Sequence, residues 1–262
     1  MNRGSANTPK KIADLATELD KYGYYSVLLT YHSLQSDVLL KSFLASDTSI
    51  NLKFMVAIRT YAISPEYMSM VCAAYNESFP NKLILNVVSG DLHEEENSVE
   101  DIPMFSEYLN TPEKRLKYTN EWMLKFLKIS KKWYTPEIIM GGHSETTRNM
   151  CNNFNATHLS ALNMYTSYLE KENRIVNDKQ MVAISILIRD SKEEAENFIE
   201  NNGGERAKQW TIYGDYQTVR NTICYLKTIG VTDIIISKSE GDKEEYRVHH
   251  LIKEMIDEEN DN

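Results

Sequence analysis

LKFMVAIRTYAISPEYMSMVCAAYNESFPNKLILNVVSG, residues 52–90, decides the fold class. Leu52–Ile58 is apolar at every position but Lys53 and has the length of one strand. Ser64 and Pro65 then read as the N-cap and first residue of a helix reaching about Phe79. Leu83–Val88 is a second run, apolar but for Asn86, and it ends at Ser89-Gly90. Strands this uniformly apolar are covered on both faces, which is the habit of parallel sheets with helical crossovers.

The same alternation extends outward. Towards the N-terminus, Asp37–Ala45 reads as a helix, Tyr25–Leu29 as a strand, and Lys11–Tyr22 as a helix closed by Gly23. Towards the C-terminus, Thr111-Pro112-Glu113 starts a helix reaching about Ser130. Glu137–Met140 is a strand leading into Gly141-Gly142-His143-Ser144 and a helix to about Asn153. His158–Leu162 and Met181–Ile188 are strands, and Ser191 with Glu194 forms a capping box. Asp215 caps a helix that stops at Gly230, Thr232–Ile236 is a strand, and a final helix occupies about Lys243–Asp257. The strands near 25, 52, 83, 137, 158, 181 and 232 suit either a doubly wound sheet or a (βα) barrel one strand short. We read one α/β domain over 1–262, with Asp257, Glu258, Glu259 and Asp261 in a solvated acidic tail, 257–262.

Composition removes several functions. Lys and Arg total 29 against 38 Asp and Glu, a net charge of −9, which argues against nucleic-acid binding. Three scattered cysteines, Cys72, Cys151 and Cys224, make neither a disulfide framework nor a CxxC metal site. No apolar run approaches ~18 residues, and MNRGSANTPKK has no hydrophobic signal core, so a cytoplasmic protein without membrane contact is expected.

Candidate chemistry lies at strand ends. Gly141-Gly142-His143-Ser144 joins a strand to a helix, where bare amides form an anion site. The same glycines also suit an ordinary turn. Arg59, just past a strand, either holds an anion bidentately or forms a surface ion pair. His93 with Glu94, Glu95 and Glu96 reads as a solvated acidic loop, and no histidine spacing supports a metal. Cys72 reads as core. GxGxxG, GxxxxGK[ST] and GxSxG are all absent.

Residues 52–90 resemble the bacterial-luciferase-like flavin monooxygenases, nearest the alkanesulfonate monooxygenase branch: a strand ending in Arg59, a Ser64-Pro65 helix start, and Asn86-Val87-Val88-Ser89-Gly90. The resemblance continues through Glu113–Trp122 with Arg115, Gly141-Gly142-His143-Ser144, Tyr213-Gly214-Asp215, and Glu244–Val248. It implies a (βα) barrel of TIM type that uses reduced FMN, delivered by a separate flavin reductase, and oxygen to oxygenate a small-molecule substrate. Ala57, Asn86, Ser89 and Gly90 would then approach the flavin ring, while Gly142, His143 and Ser144 would hold its phosphate. Arg59 would serve a substrate anion or the oxygenating flavin. His32 is the polar candidate for proton transfer, or else an exposed loop histidine. Family members often pair, so a homodimer is expected.

The departures are specific. Leu34-Gln35 replaces the cysteine loop of the alkanesulfonate branch, Ala183 and Ser185 replace its arginine and histidine, and Ser239 replaces its tyrosine. These changes argue against sulfonate oxygenation. They favour as runner-up a flavin-binding protein without turnover, similar to the non-fluorescent flavoprotein of luminous bacteria. A deazaflavin-dependent hydride-transfer enzyme comes third. Residues 1–9 lack the pattern of a buried strand, so the family's first strand is expected to be missing, through a truncated reading frame or real loss. That leaves seven parallel strands, with an opening or strained closure between those at 25 and 232.

Overall fold

The computed structural model describes residues 8–30, 38–89, 109–161, 179–238 and 243–261. It divides into two compact units, one built mainly from residues 24–156 and the other from 157 onward together with Lys21–Gly23.

In the first unit β1 (Ser26–Leu29), β2 (Lys53–Arg59), β3 (Leu83–Val88) and β4 (Glu137–Gly141) pair in chain order, all parallel. Helix α1 (Pro9–Lys21) precedes them, α2 (Val38–Ala45) and α3 (Pro65–Ser78) follow β1 and β2, and α4 (Pro112–Ser130) and α5 (Glu145–Phe154) flank β4 in sequence. Alternation sorts each strand's two faces. Phe54, Val56 and Ile58 of β2 and Leu83, Leu85 and Val87 of β3 join Cys72, Tyr75, Trp122 and Phe126 of the helices in one core. Met55 and Ala57 of β2 and Ile84 and Asn86 of β3 occupy the opposite face, paired in register and buried. Ser64 caps α3, its Oγ accepting from the Tyr67 amide at 3.2 Å, with Pro65 at the first helical position.

In the second unit β6 (Gln180–Ile188) is the hub. β5 (Thr157–Ala161) pairs with its first half, β7 (Thr211–Gly214) with its second, and β8 (Asp233–Lys238) along Met181–Ile186, all parallel. A strand has two edges, so β8 lies on the edge opposite β5 and β7. Val182, Ile184, Ile186 and Ile188 pack on Val219 and Ile223 of α8 (Tyr216–Thr228) and on Val248 and Leu251 of α9 (Tyr246–Asn260). Between β6 and β7 run α6 (Lys192–Asn202) and the short α7 (Gly204–Lys208). The Ser191 cap accepts from the Glu194 amide at 3.1 Å, and the Glu194 carboxylate accepts in return from the Asp190 amide, one residue before the cap.

All seven expected strands are present among the described residues, and β7 is an eighth, where a turn alone was expected. The expected acidic tail is corrected as well: residues 257–260 are the last turn of α9, where Glu258 pairs with Arg220 and Glu259 with Lys227 of α8. The N-terminal segment where no strand is expected lies, up to residue 7, outside the described residues.

Cys72 and Cys151 are buried, and burial pushes both thiols up to about 12, whereas Cys224 is exposed. One of the three thiols is therefore expected to react rapidly with a disulfide reagent in the native protein at pH 8, and all three after denaturation. Two fast native thiols would contradict this packing.

Candidate functional site

Two segments of the first unit meet the requirements of a site, and both lie at the carboxyl ends of strands, where parallel α/β folds gather chemistry. The first follows β2. Arg59 ends the strand, and a 3-10 turn over Thr60–Ala62 comes next. This turn is pinned from α4: the Thr60 and Thr119 hydroxyls lie 2.9 Å apart, and Trp122 Nε1 donates to the Ile63 carbonyl at 2.7 Å. A cavity of about 680 Å³ opens here, with Leu39, Phe43, Val71 and Tyr75 as apolar wall and Ala57 and Arg59 on the strand side. An apolar pocket with a cation at its edge suits an organic anion. Arg115 acts elsewhere. It is buried, and its Nη1 donates to the Leu109 carbonyl at 3.1 Å, fixing the approach to α4.

The second segment follows β4. Ser144 caps α5, its Oγ accepting from the Thr147 amide at 3.1 Å and lying 2.9 Å from the Thr147 hydroxyl. Arg148 Nη1 donates to the His143 carbonyl at 3.1 Å, which sets a guanidinium against the turn. The first-turn amides of a helix have no acceptor within it. His143 and Ser144 are exposed. Glu145, the acid of this turn, is exposed as well.

The glycine here has a structural cause. Gly142 sits at φ +152°, and a Cβ on it would meet Thr147 Oγ1 at 2.8 Å. Gly214 repeats the device at φ +150° against Thr218, before the Asp215 cap of α8. The two helix caps differ in charge. The Thr218 amide, donating at 2.8 Å, holds the Asp215 carboxyl below its usual range, so α8 already carries its own anion. The α5 cap is a neutral hydroxyl, and the acid of its first turn is Glu145, one residue on.

Asn86 connects these segments through the sheet, in register with Ala57 of β2 and Ile139 of β4. It is 4% exposed, and its buried Oδ1 has no hydrogen-bond partner. Such an atom costs about 1–3 kcal/mol unless a ligand satisfies it. An orphan acceptor beside a small alanine, on the sheet whose β4 leads into the Ser144 cap, suits a bound group with a ring N–H. Ser89, at the end of β3, is partly buried.

Of the sequence-predicted site residues, Ala57, Arg59, Asn86, Ser89, Gly142, His143 and Ser144 all belong to the first unit. His32 and Gly90 lie outside the described residues, as do Leu34-Gln35, Ser239 and the His93–Glu96 loop. Thr147 and Arg148 were missed, although their spacing of three and four from Ser144 places them on the helix's first turn. In the second unit the Ser185 and Ser237 hydroxyls lie 2.8 Å apart, and Ser237 Oγ donates to the Ile184 carbonyl at 3.1 Å. No helix among the described residues is long and apolar enough to cross a membrane.

No model of a known protein family matches the chain, and no curated protein is significantly similar to it. Solved structures are. Long-chain alkane monooxygenase LadA aligns at 11% identity with a TM-score of 0.72, covering 96% of this chain and 84% of that one. The oxygenating constituent of 3,6-diketocamphane monooxygenase from Pseudomonas putida, in complex with FMN, aligns at 14% identity and TM-score 0.68, covering 97% and 93%. An F420-dependent secondary alcohol dehydrogenase with an F420–acetone adduct aligns at 10% identity and TM-score 0.65, covering 94% and 93%. The parallel strands and alternating helices of this chain thus make up the TIM-type (βα) fold of the luciferase-like enzymes.

Proposed function

We propose that the chain is a luciferase-like flavin-dependent monooxygenase, taking reduced FMN from a separate reductase and using oxygen on a small organic substrate. The observation that carries this reading is the α5 terminus, a neutral Ser144–Thr147 cap with Arg148 against it at the end of β4. Support comes from the fold, which holds FMN in the diketocamphane enzyme. The bound flavin would supply the redox chemistry, and the chain binds, orients and shields it. His143, Ser144 and the first-turn amides hold phosphate. Ala57, Asn86, Ser89 and Gly90 line the ring, Arg59 holds an anionic substrate group at the mouth of its cavity, and His32 moves a proton.

A second reading has an observation of its own. Ser185 stands where the alkanesulfonate branch has a polar catalytic position, and its hydroxyl is already engaged with Ser237. That favours a flavin-holding protein without turnover. Anaerobic titration with reduced FMN followed by oxygen separates the two. The monooxygenase reading predicts saturable binding, then a transient spectrum distinct from both redox forms. Binding with immediate, featureless oxidation favours the second reading, and no affinity for either redox form of FMN contradicts both.

A further inference from the structure

The Asn86 acceptor has a sharper consequence than lining a ring, one that rests on the flavin reading above. Its Oδ1 is buried without a partner, and its cross-strand neighbours are Ala57 and Ile139, neither of which carries a side-chain donor. A leucine, which has the same branched shape, would remove the unsatisfied oxygen at 86, so a chain that keeps asparagine carries a destabilising group, as binding sites do. We infer that Asn86 Oδ1 accepts a hydrogen bond from the ring N5–H, which the cofactor carries only when reduced. Asn86 thereby selects reduced FMN over oxidised FMN and over a deazaflavin.

The chemistry of the ring makes this specific. In oxidised flavin N5 presents a lone pair, which repels a carboxamide oxygen, and two-electron reduction places a hydrogen on N5. A 5-deazaflavin has carbon at that position and gains a second C–H there, so it offers no N–H in either state. The other ring donor, N3–H, is present in both redox states, and an acceptor placed on it would strengthen both equally. A protein fed with reduced flavin must hold that form and release the oxidised one, and an acceptor on N5 makes that distinction.

The test compares wild type with Asn86→Leu, measuring anaerobic dissociation constants for reduced and oxidised FMN and for reduced 5-deaza-FMN. Asn86→Ala, which removes the acceptor without adding volume, serves in parallel should the leucine overpack the site. The variants are expected to bind reduced FMN about tenfold more weakly and oxidised FMN no more weakly. The midpoint potential of bound FMN then falls by about 30 mV, the two-electron equivalent of tenfold. Reduced 5-deaza-FMN is expected to bind wild type and variants alike. The unliganded Asn86→Leu protein should melt about 2–4 °C higher, since an unsatisfied buried oxygen is gone. Equal weakening of both FMN redox forms, an unchanged potential, or a deaza-FMN affinity that falls with reduced FMN would overturn the inference while leaving the flavin reading intact. A wild type that binds neither form of FMN overturns the flavin reading itself, and this inference with it.

Discussion

Trp122→Ala is expected to destabilise the protein by about 3–5 kcal/mol, the range for truncating a buried tryptophan. Trp122 is 2% exposed and stacks on Phe126 with ring centroids 5.1 Å apart. Its indole N–H also holds the Ile63 carbonyl at 2.7 Å, so alanine loses packing and the tether of the turn after Arg59 together. Trp122→Phe keeps most of the packing and loses the hydrogen bond, for about 1–2 kcal/mol. Urea denaturation followed by circular dichroism measures both. An alanine variant within 1 kcal/mol of wild type would show that α4 does not anchor the β2 turn as described.

Ser144→Asp carries the largest functional effect. Aspartate caps helices as well as serine does. Asp215 with Thr218 shows that this fold accepts such a cap before a threonine three residues on. The helix should therefore keep its stability within about 0.5 kcal/mol. The new carboxylate would occupy the positive end of α5 and repel a phosphate dianion, since like charges ~4 Å apart near a protein surface interact by up to about 4 kcal/mol. Affinity for FMN is expected to fall at least about 100-fold, or ~2.7 kcal/mol. Gly142→Asp is a poorer probe: its Cβ would strike Thr147 and its backbone φ of +152° disfavours any side chain, so it damages the turn directly. Unchanged FMN affinity in a folded Ser144→Asp protein would remove the phosphate from α5.

The fold was legible because strands such as β2 and β3 are buried on both faces and so write nearly continuous apolar runs. Ser64, Thr111, Ser191 and Asp215 each accept from the amide three residues on, where the sequence pattern expects a cap. What escaped depends on partners distant in sequence. β7 is four residues, Thr-Ile-Tyr-Gly, and is a strand only because the second half of β6 is there to pair with it. Glu258 and Glu259 read as a tail until α8 brings Arg220 and Lys227 to them. At the site, the strand ends and the Gly-Gly-His-Ser turn were readable from spacing. The orphan state of Asn86 was not, since it depends on what every neighbouring group fails to offer. Spacing leaves Gly142 either as a close approach to an anion or as an ordinary turn glycine, and only the packed Thr147 shows what excludes a side chain there.

The central claim, a flavin phosphate held at the start of α5, is tested most directly by comparing FMN with riboflavin, which lacks only the phosphate. Dissociation constants for both, reduced and under anaerobic conditions, should differ by at least about 100-fold in wild type. In Ser144→Asp the two should become nearly equal. Equal affinities in the wild-type protein, or a preference for FMN that survives in Ser144→Asp, would contradict the account.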